Sequence, residues 1–202
     1  GFRFLTAAGE SAGVDGRAAA RVEHIDGSGA DARLSECSFR IACDVNNPLY
    51  GPNGAAHIYG PQKGAAPEIV AELDAGLRHF SDVVRGTFGK SEDVLPGAGA
   101  AGGLGYGFVS FLNAALLPGV ALVLDAIRLA DDLKGADFAV TGEGRMDFQT
   151  AMGKAPSGVA RLAKRYGVVT LAFAGATTDD AAAVNQSGID AYFAIPQAPL
   201  TL

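Results

Sequence analysis

Apolar side chains recur at two spacings along the 202 residues, and the spacing changes near Gly135. Before that point the clearest pattern is helical. Between Pro67 and Thr87, Ile69, Leu73, Leu77, Phe80 and Val84 recur three or four apart, so they share one helix face. Pro67 suits the first helical position, Glu68 the positive end of the dipole, and Gly86 and Gly89 the stop. A second helix is expected from Pro118, lined by Val120, Val123, Leu124, Ile127 and Leu133 and capped by Gly135. Phe108–Leu116 is apolar enough for a buried helix. Phe2–Leu5 reads as a short strand, Arg17–His24 as helical, and Ser38–Asp44 as a strand with Phe39, Ile41 and Cys43 on one face. The Gly, Pro and Asn of Val45–Ala66 predict loops around a short helix near Gly54–Tyr59.

After Gly135 the pattern is regular. Strands are expected at Ala136–Thr141, Val168–Ala174 and Ala191–Ile195, with helices at Pro156–Tyr166 and Asp179–Ser187 between them. Strands that are apolar throughout and alternate with helices predict a parallel sheet covered on both faces, a three-layer α/β arrangement. The expected organisation is therefore residues 1–135 in a mixed α/β lobe with a helical segment, and residues 136–202 in a parallel-sheet lobe. In such sheets ligands lie beyond the carboxyl ends of the strands.

Composition narrows the classes of function. Apolar residues make up 49% of the chain and charged residues 19%, as in a globular protein. The net charge of −6 argues against nucleic acid, which needs clustered Lys and Arg. No apolar run approaches the roughly 20 residues of a membrane span. Cys37 and Cys43 would stand about 20 Å apart along one strand, too far for a disulfide. They read as reduced thiols of a cytoplasmic protein. The first residue is not Met and the segment after Ile195 has no evident element, so both ends read as cuts through a longer protein.

Three segments carry candidate chemistry. Gly142-Glu143-Gly144-Arg145-Met146-Asp147 follows a strand and holds two carboxylates and a guanidinium. Arg145 can clamp a phosphate or carboxylate with paired hydrogen bonds. A carboxylate there can hold Mg²⁺ or take a hydroxyl proton. The competing reading is a solvated polar turn. Asp44-Val45-Asn46-Asn47-Pro48 follows another strand, and Asp44 suits a base or a metal ligand as well as an Asx-turn. Lys63, between Gly60 and Gly64, can meet an anion or simply face water. Gly97–Gly102 spells GxGxxG, but Pro96 leaves little strand before it, so a glycine-rich helix start is favoured over a dinucleotide fingerprint. No phosphate-binding P-loop is present: Val84 and Phe148 stand where its first Gly is required.

Taken together, Ala42–Ala65 (ACDVNNPLYGPNGAAHIYGPQKGA), Gly97–Phe108 (GAGAAGGLGYGF) and Ala136–Gly158 (ADFAVTGEGRMDFQTAMGKAPSG) resemble the bacterial glycerate kinase family in motif, order and spacing. The resemblance covers roughly Gly1–Ile195 and is thin before Ser38. It implies two α/β lobes, one Rossmann-like, about a cleft, and a cytoplasmic enzyme. It also implies transfer of the γ-phosphoryl of ATP to a hydroxyl of D-glycerate with Mg²⁺. It places further sequence on both sides of this chain, including lysine- and glycine-bearing loops before Gly1. On this resemblance Arg145 clamps an anion, Asp147 or Asp44 orients the hydroxyl and takes its proton, and the other holds Mg²⁺ with Glu143. Lys63 neutralises phosphate charge. Asn46, Gly99, Gly102, Gly142, Gly144, Thr150 and Lys154 are the expected substrate and nucleotide contacts. Two other readings stay open: a lobe that only binds a small hydroxy acid or anion, and a dinucleotide-dependent oxidoreductase. ATP and D-glycerate are the expected partners, and a homodimer is one option for the assembly.

Overall fold

The computed structural model describes residues 1–196. The chain divides into two compact units, Gly1–Leu117 and Pro118–Leu202. The division falls before the helix that opens at Pro118, and so earlier than the boundary expected after Gly135.

In the first unit, β1 (Arg3–Leu5) pairs antiparallel with β2 (His24–Asp26). The segment between them is a 3-10 turn, Gly16–Arg21, rather than a helix reaching His24. β3 (Arg40–Ala42) is shorter than the expected strand. α1 (Ala55–Tyr59) is the short helix of the loop region, and α2 (Pro67–Phe88) is the long amphipathic one. Gly89 ends α2 at φ 75°, a left-handed turn that glycine makes without steric cost. α3 (Ala100–Leu112) occupies the glycine-rich stretch, and β4 (Ala115–Leu117) pairs parallel with β3. The helix expected over Phe108–Leu116 is therefore displaced towards the N-terminus, and its apolar end is a strand. Packing explains the shift: Ala98 and Tyr106 are buried with Leu49 and Val84, with Leu77 and Phe80 against them. That burial overrides the poor helix propensity of glycine.

In the second unit, α4 (Gly119–Ala126) and α5 (Leu129–Asp132) form the expected helix in two pieces, separated by Arg128 at φ 56°. β5 (Phe138–Met146) runs through the segment expected to be a loop. α6 (Phe148–Ala151) is one turn, α7 (Ala155–Arg165) follows, and β6 (Val169–Thr177) is longer than expected. Asp179–Ser187 is a 3-10 turn instead of an α-helix, and β7 (Ala191–Ala194) closes the described chain. The sheet order is β5-β6-β7, all parallel. Ala160 of α7 and Val184 of the 3-10 turn bury Ala172, Ala174 and Met146. Ala163 does the same for Ala139 and Val168. The opposite face of the sheet carries large exposed apolar side chains.

Both cysteines are free. Among the described residues no helix is long and apolar enough to cross a membrane. The segment 197–202, read as having no evident element, lies outside the described residues.

Candidate functional site

The charged segment after Ala136 is built by strand pairing. Glu143 pairs with Ala174 and Arg145 with Ala176, so Gly142, Glu143, Gly144 and Arg145 belong to β5 and not to a loop. Glycine makes this possible. A Cβ at Gly142 would come within 2.4 Å of the Phe173 carbonyl oxygen, and one at Gly175 within 2.7 Å of that of Gly144. The two strands approach too closely here for any side chain.

Asp147 then ends the strand and caps α6. Its Oδ1 accepts from the Gln149 N–H at 2.9 Å and from the Thr150 N–H at 3.3 Å. The Asp147 N–H donates back to Thr150 Oγ1 at 3.2 Å, which completes a capping box. The Thr150 hydroxyl donates to Glu143 Oε1. Lys154 Nζ lies 3.6 Å from Asp147 Oδ1. One buried threonine thus joins both carboxylates, and a lysine stands beside one of them. Glu143 Oε2 and Asp147 Oδ2 keep their lone pairs for other partners. From below, the Ser157 hydroxyl donates to the Thr150 carbonyl at 2.5 Å and lies 2.9 Å from Ser187 Oγ. The Arg145 side chain is exposed and has no hydrogen bond or ion pair with a described residue.

Four of the residues singled out from the sequence, Glu143, Asp147, Thr150 and Lys154, therefore form one network, with Arg145 on the same strand. Ser157 and Ser187 were not singled out. The GKAPSG motif contained Ser157, but only the fold shows that it braces Thr150.

The first unit holds the other candidates. Beyond β3, Asp44 and Asn46 are exposed in the loop leading to Leu49, which is fully buried. The loop is fixed by Asn47 more than by Asn46: Asn47 Nδ2 donates to the Asn53 carbonyl at 2.9 Å, and Tyr59 Oη donates to Asn47 Oδ1 at 2.7 Å. The Gly99 N–H donates to the Asn47 carbonyl at 2.9 Å. A Cβ on Gly99 would lie 2.2 Å from the Pro48 carbonyl oxygen, so this position requires glycine. Gly102 has φ 76° and open space at its Cβ position, so it serves the turn and not a close approach. Asn47 and Tyr59 were missed by the sequence reading, since Asn-Asn-Pro gives no reason to prefer one Asn. Lys63 ends a 3-10 turn and is exposed, and its side chain has no partner among the described residues.

No three His, Cys, Asp or Glu side chains converge among the described residues to hold a metal alone. Mg²⁺ bound through nucleotide phosphates needs only one or two carboxylates. The free oxygens of Glu143 and Asp147 meet that lesser requirement.

An open parallel sheet whose carboxyl end carries two linked carboxylates, a lysine and an arginine defines an α/β protein with a charged cluster where such sheets place their ligands. The model of the Glycerate kinase family matches residues 1–202, and the chain belongs to that family. A glycerate kinase of Halalkalibacterium halodurans is 48% identical over 195 residues, covering 96% of this chain and 51% of the relative. The glycerate 2-kinase of Escherichia coli is 43% identical over the same shares. A crystallised protein of Salmonella typhimurium LT2, designated glycerate kinase 2, superposes with TM-score 0.84 at 41% identity. It is covered over 50% of its length. The chain thus spans about half the length of the relatives it matches.

Proposed function

We propose that this chain supplies part of the active site of an ATP-dependent glycerate kinase, which transfers the γ-phosphoryl group to a hydroxyl of D-glycerate. One observation carries the reading beyond family membership: Glu143, Thr150, Asp147 and Lys154 form a single network at the carboxyl end of β5, with Arg145 free beside it. Phosphoryl transfer asks mainly for positioning and charge stabilisation, and such a set provides both. Arg145 clamps the glycerate carboxylate or the moving phosphoryl group. Asp147, through Oδ2, or Asp44 orients the hydroxyl and accepts its proton. Glu143, with Asp147 where Asp147 is not the base, would hold Mg²⁺, which neutralises phosphate charge when bound. Lys63 and Lys154 add positive charge against the phosphates. In the first unit Asn46 and the backbone at Gly99 and Gly102, and in the second the backbone at Gly142 and Gly144, would contact substrate or nucleotide. On this reading the enzyme is cytoplasmic, its ligands are small molecules, and neither nucleic acid nor membrane takes part.

The test is an ADP-coupled assay with ATP, Mg²⁺ and D-glycerate, using a polypeptide of the relatives' length that contains these 202 residues. Arg145→Ala and Asp147→Asn are each expected to lower kcat/KM by about 10²-fold or more. Asn caps a helix as well as Asp does, so Asp147→Asn removes charge while keeping the cap. Normal turnover in that variant removes Asp147 from the chemistry.

The capping role of Asp147 favours one second reading, a lobe that binds a hydroxy acid or other anion without catalysis. In that case Arg145→Ala abolishes binding of D-glycerate in calorimetry, Asp147→Asn leaves it intact, and no ADP forms.

A further inference from the structure

Residues 43–54 join β3 to α1 with no helix or strand of their own, and Asp44 and Asn46 stand exposed near the start of this loop. A loop side chain serves chemistry only where a rigid scaffold holds it in place. The first half of the loop is held by backbone bonds: the Cys43 N–H donates to the Leu117 carbonyl at 2.8 Å, and the Gly99 N–H to that of Asn47. The second half is held by two acidic residues from outside the loop. Asp74, within α2 and 9% exposed, accepts from the Gly51 N–H at 2.7 Å. Asp93, in the turn between α2 and α3 and 5% exposed, holds two successive residues. Its carbonyl accepts from the Leu49 N–H at 2.8 Å, and its Oδ2 from Tyr50 Oη at 2.5 Å. Arg85 of α2 donates to the same Oδ2 at 3.3 Å. The Arg78 guanidinium carbon lies 4.4 Å from the centre of the Tyr50 ring, so Tyr50 is gripped at both its ring and its hydroxyl.

The surroundings of this carboxylate are apolar. Tyr50 and Leu95 pack against Leu49, Val84, Ala98 and Tyr106. Burying a charge there costs desolvation, and a pair of apolar side chains of the same shape would pack without that cost. What the charge adds is direction. It must be met by the Tyr50 hydroxyl and by Arg85, which leaves the loop one place against α2.

We propose that Asp93 and Tyr50 are positioning residues for the phosphoryl transfer proposed above, a role that rests on that reading: they hold the loop that presents Asp44 and Asn46. The test uses the polypeptide of the relatives' length, with kinetics in ATP, Mg²⁺ and D-glycerate. Tyr50→Phe keeps the ring under Arg78 and removes only the hydroxyl. Asp93→Asn keeps the size and an acceptor and removes the charge. Each is expected to lower kcat/KM about tenfold or more. Amide exchange over residues 44–51 should quicken about tenfold in both, with that of α2 unchanged. Each substitution is then repeated in a background carrying Asp44→Asn and Asn46→Ala, where it should cost no further activity because the groups it misplaces are already gone. A merely structural role would give the same fold loss in both backgrounds. Unchanged kcat/KM in both variants, equal losses in the two backgrounds, or unaltered exchange over the loop would each overturn the positioning role while the kinase reading stands. Absence of turnover in the unchanged polypeptide would instead strike the kinase reading, and the positioning role with it.

Discussion

Thr150 joins more of the candidate site than any other residue. It is fully buried, its hydroxyl donates to Glu143, its Oγ1 accepts from the Asp147 N–H, and its carbonyl accepts from Ser157. Replacing it with Ala leaves the Asp147 N–H and a Glu143 oxygen without their partner. A loss of about 1–2 kcal/mol in urea unfolding is expected, and Thr150→Ser should recover most of it. An unchanged midpoint for Thr150→Ala would show that the network contributes no stability. The residues of this site divide by how much of them the sequence revealed. Glu143, Arg145 and Asp147 were legible because charges directly after an apolar strand have few structural uses. The bracing by Ser157 and Ser187 was not. A serine's partner at a separation of thirty residues depends on how α7 lies against the following 3-10 turn, and no local pattern encodes that. For the same reason the sequence did not distinguish Asn47, held by Tyr59 and Asn53, from its exposed neighbour Asn46.

At the scale of elements, glycine was the main source of error, and in both directions. In β5 the glycines suggested a loop, yet they are what allows β5 and β6 to stay paired where the strands pinch. In α3 they suggested a helix start ahead of a helix expected at Phe108–Leu116, yet the helix itself runs over Ala100–Leu112. Its first turn is irregular: Ala101, Gly102 and Gly103 have φ of 50°, 76° and 103°. Ala101 is the only one of the three with a Cβ, and left-handed backbone costs such a residue about 1–2 kcal/mol. Ala101→Gly removes that cost while giving the unfolded chain more freedom, worth about 0.4–1 kcal/mol in the opposite sense. The net expectation is a stabilisation of up to about 1 kcal/mol, read as a higher urea midpoint at unchanged m-value. Gly99→Ala should do the reverse, because the Cβ would meet the Pro48 carbonyl oxygen at 2.2 Å and force the Asn47–Pro48 loop away. Overpacking of this sort costs about 1–3 kcal/mol. Equal stability of the two variants would contradict this account of the turn.

At the scale of the whole chain, the alternation of strands and helices after Gly135 specified the parallel sheet, since periodicity and apolar runs report burial directly. The split at Leu117 and Pro118 was not readable, because α4 looks like a continuation of the helical region until its packing on α7 is seen. Both units contain carboxylates whose charged form is favoured by local partners. Asp26 and Asp31 in the first, and Asp131 and Asp190 in the second, are all held below the ordinary carboxylate range. The causes are local: Ser28 and then Arg3 for Asp26, Arg33 for Asp31, Lys134 and then Arg128 for Asp131. For Asp190 the first cause is the hydrogen bond from Lys164 at 2.6 Å, then the Thr170 N–H at 2.8 Å, so one carboxylate ties α7 to the start of β6. A carboxylate whose folded pKa is depressed binds fewer protons folded than unfolded as the pH falls towards the unfolded value of about 3.9. Its contribution is complete above that value and is lost as pH falls through the lower folded pKa. Urea midpoints measured from about pH 7 down to about pH 2 should therefore hold steady and then fall through the acid range. Asp190→Asn keeps an acceptor for Thr170 but not the charge that Lys164 meets. It should be less stable than the unchanged chain at neutral pH, and the two curves should converge as the pH drops and Asp190 is protonated. Curves that stay parallel throughout would mean that the Lys164–Asp190 pair contributes nothing through its charge, and that the acid response of the second unit owes nothing to Asp190.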